Sequence, residues 1–227
     1  MFKNPLVLVD KHREEFIRAE TKVLSPPLVP EIRLHLASDS IALWKRTEAF
    51  AEGQLPPPYW AFAWPGGQAL ARYLLDHPDE VKGKCVLDFG SGSGLTAIAA
   101  AKAGAAAVCA AEIDALALAA IEMNAQANGV FIEPLSRDLI GERGRWNTVL
   151  CGDMCYERPL ADRLVPWLKT LASEGTRVLM GDPGRNYFPG EKGDLRLVPL
   201  KTYTVPTTMD LENREQRETT VYGLSVK

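Results

Sequence analysis

The amino-acid sequence predicts an α/β protein whose core is a doubly wound, Rossmann-like sheet of seven strands, preceded by an N-terminal arm. From about residue 65 onward, apolar strand-like segments alternate with helical ones. This alternation is typical of a parallel sheet covered by helices on both faces. The first strand of the series runs into a glycine-rich turn that opens a helix. The last two strands have only a polar segment between them, so we expect them to pair antiparallel.

Each predicted core element has its own signal in the sequence. The strands are short apolar runs bounded by turn residues, and the helices are longer segments with apolar residues three and four positions apart. The predicted strands are Cys85–Phe89, Ala107–Ala111, Ile132–Ser136, Thr148–Cys151, Arg177–Met180, Lys201–Val205 and Thr219–Val226. The predicted helices are Pro65–Leu75, Leu95–Ala103, Leu116–Asn128 and Leu160–Ala172.

Residues 1–55 differ from the core and predict an arm packed on or beside it. Helical spacing extends over Asp10–Leu24, and the Ser-Pro-Pro sequence that follows stops it. Strict alternation over Glu31–Leu36 predicts a half-buried strand, and Asp39 is placed to cap a further helix. A run of three prolines then breaks the chain, and we place the start of the core domain, residues 56–227, there.

Composition and charge argue against several classes of protein. With 227 residues, 46% of them hydrophobic and 24% charged, the chain resembles an ordinary globular domain. No apolar run reaches the roughly 18 residues that span a membrane, so we expect no membrane partner. The 26 basic and 29 acidic side chains give a net charge of −3. Proteins that bind nucleic acid through its phosphates usually carry a basic surplus, and we therefore predict no nucleic-acid partner.

The N-terminus and the cysteines predict the compartment. The first residues lack the apolar segment of a secretory signal, and several acidic residues soon after Met1 argue against a transit peptide. Among the four cysteines, no second Cys pair or His pair stands at the spacing of a zinc site. We therefore expect free thiols, no bound metal and a cytoplasmic protein.

The candidate cofactor site begins where the strand Cys85–Phe89 ends. An acid, Asp88, stands two residues before the first of three alternating glycines, Gly90, Gly92 and Gly94. Glycines let the backbone approach a ligand closely, and the helix that follows offers free N–H groups. The dinucleotide pattern G-x-G-x-x-G/A does not fit, because its third position falls on a leucine. An acid before the loop suits the cationic S-adenosylmethionine (SAM), which we predict as the cofactor; a βα turn without a ligand is the alternative.

Two further acids follow the next two predicted strands. Glu112 stands 18 residues after Gly94, where a Rossmann-like fold places an acid on the ribose hydroxyls. Asp114, two residues further on, is either a second candidate for this role or the N-cap of the next helix. Asp138 follows the third strand and could accept a hydrogen bond from the adenine amino group, or be a solvated turn residue. Because parallel strands end at one edge of the sheet, we expect these acids to line one site.

Four further motifs occur in a fixed order along the chain. Trp64–Gly67 reads Trp-Pro-Gly-Gly at the start of the first core helix, and Asp153–Tyr156 carries Asp-x-x-Tyr after the fourth strand. Asp182–Arg185 reads Asp-Pro-Gly-Arg after the fifth strand, and Thr219–Gly223 lies in the last one. Together with the glycine loop they resemble the electron transfer flavoprotein β-subunit lysine methyltransferases, a family of seven-β-strand, SAM-dependent protein methyltransferases. The resemblance extends from about residue 56 to the C-terminus.

This resemblance implies a strand order of 3-2-1-4-5-7-6 with the seventh strand antiparallel. It also implies that the acceptor is a lysine of a protein substrate, the electron transfer flavoprotein β subunit, and we expect the enzyme to be a monomer. Asp153 and Tyr156 are then the candidate catalytic residues, because a carboxylate can orient the lysine nitrogen and a ring can contact the developing ammonium. Trp64 is a candidate for contact with SAM. The alternatives are a turn cap for Asp153 and core packing for Trp64.

Several other functions stay open at this point. Within the class, the acceptor could be a lysine of another protein, such as a ribosomal protein, or a small molecule. A methyltransferase for exocyclic base amines would carry (Asp/Asn)-Pro-Pro-(Tyr/Phe) after the fourth strand, and this chain has no prolines there. Outside the class, the chain could be an inactive SAM-binding subunit or an NAD-dependent reductase. Calorimetry with SAM and with NADH distinguishes the cofactors.

Overall fold

The computed structural model describes residues 11–51, 56–189 and 195–226. The helices are α1 (Lys11–Glu20), α2 (Ser40–Phe50), α3 (Pro65–Asp76), α4 (Leu95–Lys102), α5 (Ala115–Ala127), α6 (Arg158–Ser173) and α7 (Met209–Glu212). The strands are β1 (Lys22–Leu24), β2 (Leu34–Leu36), β3 (Cys85–Phe89), β4 (Ala107–Ala111), β5 (Glu133–Leu135), β6 (Thr148–Gly152), β7 (Arg177–Asp182), β8 (Leu195–Pro206) and β9 (Gln216–Val226). Within these described ranges, no helix is long and apolar enough to cross a membrane.

Strands β3 to β9 form one sheet in the order β5-β4-β3-β6-β7-β9-β8. Numbered from one to seven along the chain, this is the predicted order 3-2-1-4-5-7-6. Neighbouring strands from β5 to β7 pair in parallel, whereas β9 runs antiparallel to both β7 and β8. The predicted fold is therefore confirmed, including the antiparallel pair at the end of the chain.

The central strands bury both faces of the sheet. Val86 and Leu150 pack with residues of α3 and α4 on one face, whereas Leu87 and Val149 pack with residues of α6 on the other. Successive side chains of a strand point to opposite faces, so a strand covered on both sides needs a continuous apolar run. This requirement explains why the core strands could be recognised in the sequence.

Several elements differ from the sequence-based prediction, among them β8, which begins at Leu195 and not at Lys201. The helix predicted over Asp10–Leu24 ends at Glu20, and Lys22–Leu24 instead pair antiparallel with Leu34–Leu36. Residues that precede proline favour extended backbone, and a helical spacing of apolar residues contains no information about a strand partner. The strand predicted from residue 31 is accordingly shorter than expected. A further difference is α7, a single helical turn between β8 and β9, where we predicted no helix.

The described part of the arm is hydrogen-bonded to helix α5 of the core. The N–H of His35 donates to Asn124 Oδ1 at 2.7 Å, and the N–H of Arg33 donates to Asn128 Oδ1 at 3.1 Å. The two asparagines are one helical turn apart, so they bind the backbone of β2 along the side of α5. These two backbone N–H groups, in β2 and just before it, are thereby satisfied by the core.

The start of α2 agrees with the prediction, since Asp39 accepts a hydrogen bond from the N–H of Ala42 at 2.9 Å. Trp60, in a short 3₁₀ turn just after the prolines, is 1% exposed and packs with residues of α1, α2 and α5. The arm and the core thus share a hydrophobic cluster. The boundary at residue 55 stays a prediction, because residues 1–10 and 52–55 lie outside the described part of the chain.

Helix α3 begins in direct contact with the end of a central strand. Gly66 lies so close to Gly181 of β7 that a Cβ atom on either residue would overlap the backbone carbonyl oxygen of the other. At Gly67 a Cβ atom would meet only the Leu95 side chain, at 3.9 Å. The N–H of Gly67 donates to the Asp153 carboxylate at 3.0 Å. The first turn of α3 is therefore fixed against the ends of β6 and β7.

We expect Gly66→Ala to lower the free energy of unfolding by about 1–3 kcal/mol, because the added methyl group collides with backbone in a packed region. Gly67→Ala is the matched control, since its Cβ has an ordinary contact distance and alanine favours the helix. That variant should be as stable as the wild type or slightly more stable. Denaturant unfolding of both variants measures the difference, and equal losses would contradict the close approach.

Candidate active site

A cavity of about 640 Å³ lies at the carboxyl ends of the parallel strands, where the strand order reverses between β3 and β6. Doubly wound sheets bind their ligands at this point. One half of the cavity is formed by the glycine loop after β3 and by the segments after β4 and β5. The other half is formed by the segments after β6 and β7 and by aromatic residues before α3. The predicted site residues that line it are Trp64, Gly90, Gly92, Glu112, Asp138, Asp153 and Tyr156.

The glycine loop has backbone conformations that glycine adopts without steric cost. Gly90, Gly92 and Gly94 have φ angles of +66°, +54° and +81°. The N–H of Gly90 donates to the Ala111 carbonyl at the end of β4, at 3.0 Å, which fixes the loop to the sheet. A Cβ atom on Gly90 would overlap the thioether of Met154, so the loop and the segment after β6 are in close contact. Gly94 lies behind the cavity, at the start of α4.

Asp88 lies beneath the glycine loop and does not line the cavity. Its carboxylate accepts hydrogen bonds from Ser91 Oγ at 2.6 Å and from the N–H of Ala97 at 3.0 Å. Burial raises the pKa of this carboxyl to about 6, although its hydrogen bonds act in the opposite direction. Asp88 is therefore placed to hold the loop against the first turn of α4, not to contact a ligand directly.

Glu112 reaches from the end of β4 to the glycine loop. Its Oε2 accepts from the N–H of Gly92 at 3.0 Å, and its Oε1 accepts from the N–H groups of Ile113 and Asp114 at 2.7 and 3.2 Å. A carboxylate has about four acceptor positions, so Oε2 can still accept a hydroxyl from the cavity. Asp114 accepts from the N–H of Leu116 at 2.8 Å and is the N-cap of α5, one of its two predicted roles.

Asp138 is exposed at the rim of the cavity, after β5. It accepts from the N–H of Ile140 at 2.9 Å and pairs with Arg163 at 2.5 Å. Burial by itself would raise the pKa of Asp138, but these two donors lower it below its usual value. The side chain is therefore an ionised acceptor that is fixed by a partner from α6.

Asp153 directly follows β6 with a left-handed backbone, φ +57°, which Asp and Asn tolerate better than most residues. Its side chain is turned towards the first turn of α3 and accepts from the N–H of Gly67. The other oxygen, Oδ1, accepts from Nε and Nη2 of Arg185 at 2.9 and 2.6 Å. Burial raises the pKa of this carboxyl above its usual value, although the Arg185 guanidinium beside it acts in the opposite direction. The proposed turn cap of α6 is not its role in this geometry.

Three aromatic rings stand together at the mouth of the half of the cavity that lies after β6 and β7. The ring centroid of Tyr59 lies 5.3 Å from that of Tyr156 and 5.9 Å from that of Trp64. Tyr59 and Tyr156 are each 40% exposed, and the Trp64 indole N–H donates to the Tyr59 carbonyl at 2.8 Å. Trp60, the other aromatic of this segment, is buried, and its indole N–H has no hydrogen-bond partner among the described residues.

Sequence reasoning did not assign a role to two charged residues of this half. Arg185 lines the cavity and pairs with Asp153, and Glu212 of α7 accepts from Arg185 Nη2 at 2.6 Å. Arg185 could have been suspected, because it closes the Asp-Pro-Gly-Arg motif after β7. Glu212 lies in a polar segment between two strands, and nothing in the sequence around it indicates a site.

Comparison with known proteins agrees with this geometry. A family model described as ribosomal protein L11 methyltransferase (PrmA) matches residues 69–152. Among solved structures, a ribosomal protein L11 methylase from Lactobacillus delbrueckii subsp. bulgaricus has a TM-score of 0.51 and 22% identity, covering 73% of this chain and 81% of that one. A magnesium protoporphyrin IX methyltransferase from Synechocystis with bound SAM also has a TM-score of 0.51, with 15% identity over 71% of this chain and 78% of that one. At these identities the likeness shows the fold.

Relatives of known activity are more similar. The electron transfer flavoprotein beta subunit lysine methyltransferase of Xenopus laevis is 42% identical over 214 residues, 92% of this chain and 85% of the relative. The human protein of the same description is 41% identical over 220 residues, 95% of this chain and 83% of the relative.

The similarity to these relatives over most of the chain makes it a methyltransferase, and its fold is a doubly wound, seven-stranded sheet. Within that class, the chain belongs to the electron transfer flavoprotein beta subunit lysine methyltransferase family. It is a lysine methyltransferase, as the resemblance of its motifs led us to expect.

Proposed function

We propose that this enzyme transfers methyl groups from SAM to lysine ε-amines of the electron transfer flavoprotein β subunit. The observation that carries the proposal is an identity of 40–42% to vertebrate relatives described by this substrate, over nine tenths or more of the chain. We also propose, from the sequence, that the enzyme is a monomer and acts in the cytoplasm.

The glycine-loop half of the cavity fits SAM. The Glu112 Oε2 atom has an acceptor position left for a ribose hydroxyl, and Asp138 stands at the rim for the adenine amino group. Trp64 also lines the cavity and stays a candidate for contact with SAM. When bound, SAM supplies an electrophilic methyl group on its sulfonium.

The other half of the cavity, at the ends of β6 and β7, suits a lysine side chain, and we call it the acceptor half. The rings of Tyr59, Trp64 and Tyr156 border an entrance through which a long aliphatic chain can pass, and aromatic faces attract the charge that forms on the nitrogen. The Asp153 carboxylate lies at the end of this path and can accept a hydrogen bond from the ε-nitrogen. Such a contact would direct the nitrogen lone pair towards the methyl group.

Transfer makes one bond from nitrogen to the methyl carbon and breaks the bond from that carbon to sulfur. The amine must be uncharged to react, and desolvation in a narrow site favours the loss of its proton before the reaction. Asp153 orients the nitrogen and stabilises its developing positive charge, and the proton leaves to solvent. Burial raises the pKa of Tyr156 to about 12, so its ring acts as a neutral aromatic wall and not as a base.

The proposal is tested by incubating the purified enzyme with labelled SAM and the electron transfer flavoprotein β subunit. Mass spectrometry is expected to locate the label on lysine side chains of that subunit. Ribosomal protein L11 is the comparison substrate, because the partial match to the L11 methyltransferase model favours it as the second candidate. Label on L11 alone would reject the proposed substrate in favour of that alternative.

A further inference from the structure

Arg185 is held between two buried carboxylates at the acceptor half of the cavity. Its Nε and Nη2 donate to Asp153 Oδ1 at 2.9 and 2.6 Å, and its Nη1 and Nη2 donate to the two oxygens of Glu212 at 3.2 and 2.6 Å. Only 16% of its side chain is exposed, compared with 10% for Asp153 and 3% for Glu212. The guanidinium also lies 5.7 Å from the centre of the Trp64 ring. A planar fork of five donors suits a position between two acids.

The four ion-paired side chains Asp153, Arg185, Glu212 and Arg217 together carry two negative and two positive charges. Arg217 Nε lies 3.1 Å from Glu212 Oε2, so two carboxylates face two guanidinium groups. The balance matters because a carboxylate close to an amine stabilises the protonated form of that amine. Without a partner, Asp153 would orient the lysine nitrogen and at the same time keep it unreactive.

We propose that Arg185 is a positioning residue that fixes the Asp153 carboxylate and offsets part of its charge, so that the acceptor lysine reacts as the neutral amine while the carboxylate still faces the developing ammonium. Glu212 holds Arg185 from the opposite side and thereby connects α7 with the acceptor half. The inference rests on the proposed function, because it concerns a lysine acceptor. It adds a role for two residues that do not contact the reacting atoms themselves.

The other titratable groups around Asp153 do not provide this compensation. Burial raises the pKa of Cys155 and of Tyr156 to about 12, so both are neutral near physiological pH. Burial raises the pKa of Asp182 to about 7, so this residue adds negative charge as the pH rises. Glu112 and Glu157 act on Tyr156 and are acidic, and Arg163 of the cavity lining is paired with Asp138. In the described part of the chain, the cation that an ion pair joins to Asp153 is Arg185.

The test is the pH dependence of the single-turnover rate of methyl transfer to the electron transfer flavoprotein β subunit, with SAM and protein substrate saturating. The acid limb of this profile reports the deprotonation of the bound amine. Arg185→Gln leaves the cluster with one excess negative charge, so the midpoint of the acid limb should shift to higher pH by about one unit or more. Glu212→Gln leaves one excess positive charge, and the limb should move to lower pH. Shifts of opposite sign would not arise from a general loss of structure.

A second substitution gives the rescue experiment. In Arg185→Gln combined with Asp153→Asn the charges balance again, so the limb should return to its wild-type position even though the rate stays low. Arg177→Gln is the matched control: Arg177 forms a two-bond pair with Glu80 at the opposite end of β7, at 3.0 and 2.9 Å. This control should leave the limb unchanged. A limb that stays at the wild-type pH in both Arg185→Gln and Glu212→Gln overturns the proposal.

Thermal unfolding separates failure of this inference from failure of the proposed function. Arg185→Gln should lower the Tm by several degrees, and adding Asp153→Asn should restore part of the loss, because an unpaired buried carboxylate is then removed. This readout needs no substrate. If the wild type does not methylate the β subunit, the proposed function fails and the Tm cycle still tests the pairing. If it does methylate the subunit but neither the limb nor the Tm responds, the inference alone fails.

Discussion

Replacing Gly90 with valine is expected to weaken SAM binding by at least about 100-fold, equivalent to roughly 2.7 kcal/mol. A β-branched residue at φ +66° is strained, and its Cβ atom would also displace the Met154 thioether from the cavity wall. The loop would have to move away from the end of β4, and the cradle for the cofactor would change shape. Isothermal titration calorimetry with SAM measures the loss.

Gly129→Val separates this local effect from a general cost of backbone strain. Gly129 has nearly the same conformation, φ +65°, but a Cβ atom there would meet nothing within 4 Å. Gly129→Val should lower the free energy of unfolding about as much as Gly90→Val does. Its dissociation constant for SAM should stay within about twofold of the wild-type value. If both variants bound SAM with wild-type affinity, the glycine loop would not be the cofactor site.

Asp153→Asn is expected to lower kcat by about 100-fold or more, the scale on which loss of one preorganised polar group acts. Asparagine tolerates the left-handed backbone at this position, so the fold should be preserved. The substitution removes the charge opposite the developing ammonium. The two carboxylate oxygens of the wild type accept from the N–H of Gly67 and from Arg185. In the variant, the NH₂ group of the amide replaces one of these oxygens and faces a donor. Steady-state kinetics with saturating SAM and protein substrate measures the effect.

The affinity for SAM is the internal control for Asp153→Asn. Asp153 lies in the acceptor half of the cavity, so the dissociation constant of SAM should stay within about threefold of the wild-type value. A variant that keeps full kcat would limit Asp153 to holding Arg185 and the start of α3. If the variant loses affinity for SAM, Asp153 contributes to the glycine-loop half of the cavity instead.

The position of the residues in the glycine-loop half of the cavity could largely be predicted because their signals are local. The strand Cys85–Phe89, the three glycines and the acids after the next two strands are each recognisable from a few neighbouring residues. The topology of a parallel sheet then brings the strand ends to one edge. The exact role of Asp88 could not be predicted this way. Only the folded loop shows that Asp88 Oδ2 accepts from both Ser91 and Ala97 and that the residue does not line the cavity.

The sequence by itself determined the order of strands and helices, the glycine loop and the position of the Asp-x-x-Tyr motif, since these depend on apolar periodicity and on backbone conformations restricted to glycine. Tertiary structure alone decided which charges meet. Asp153 and Arg185 are 32 residues apart in the chain, and Arg185 and Glu212 are 27 residues apart. The first two follow the ends of two strands, whereas Glu212 lies in a single helical turn between two others. The pairing of buried charges depends on distance and on the exclusion of water, and neither exists until the sheet has formed.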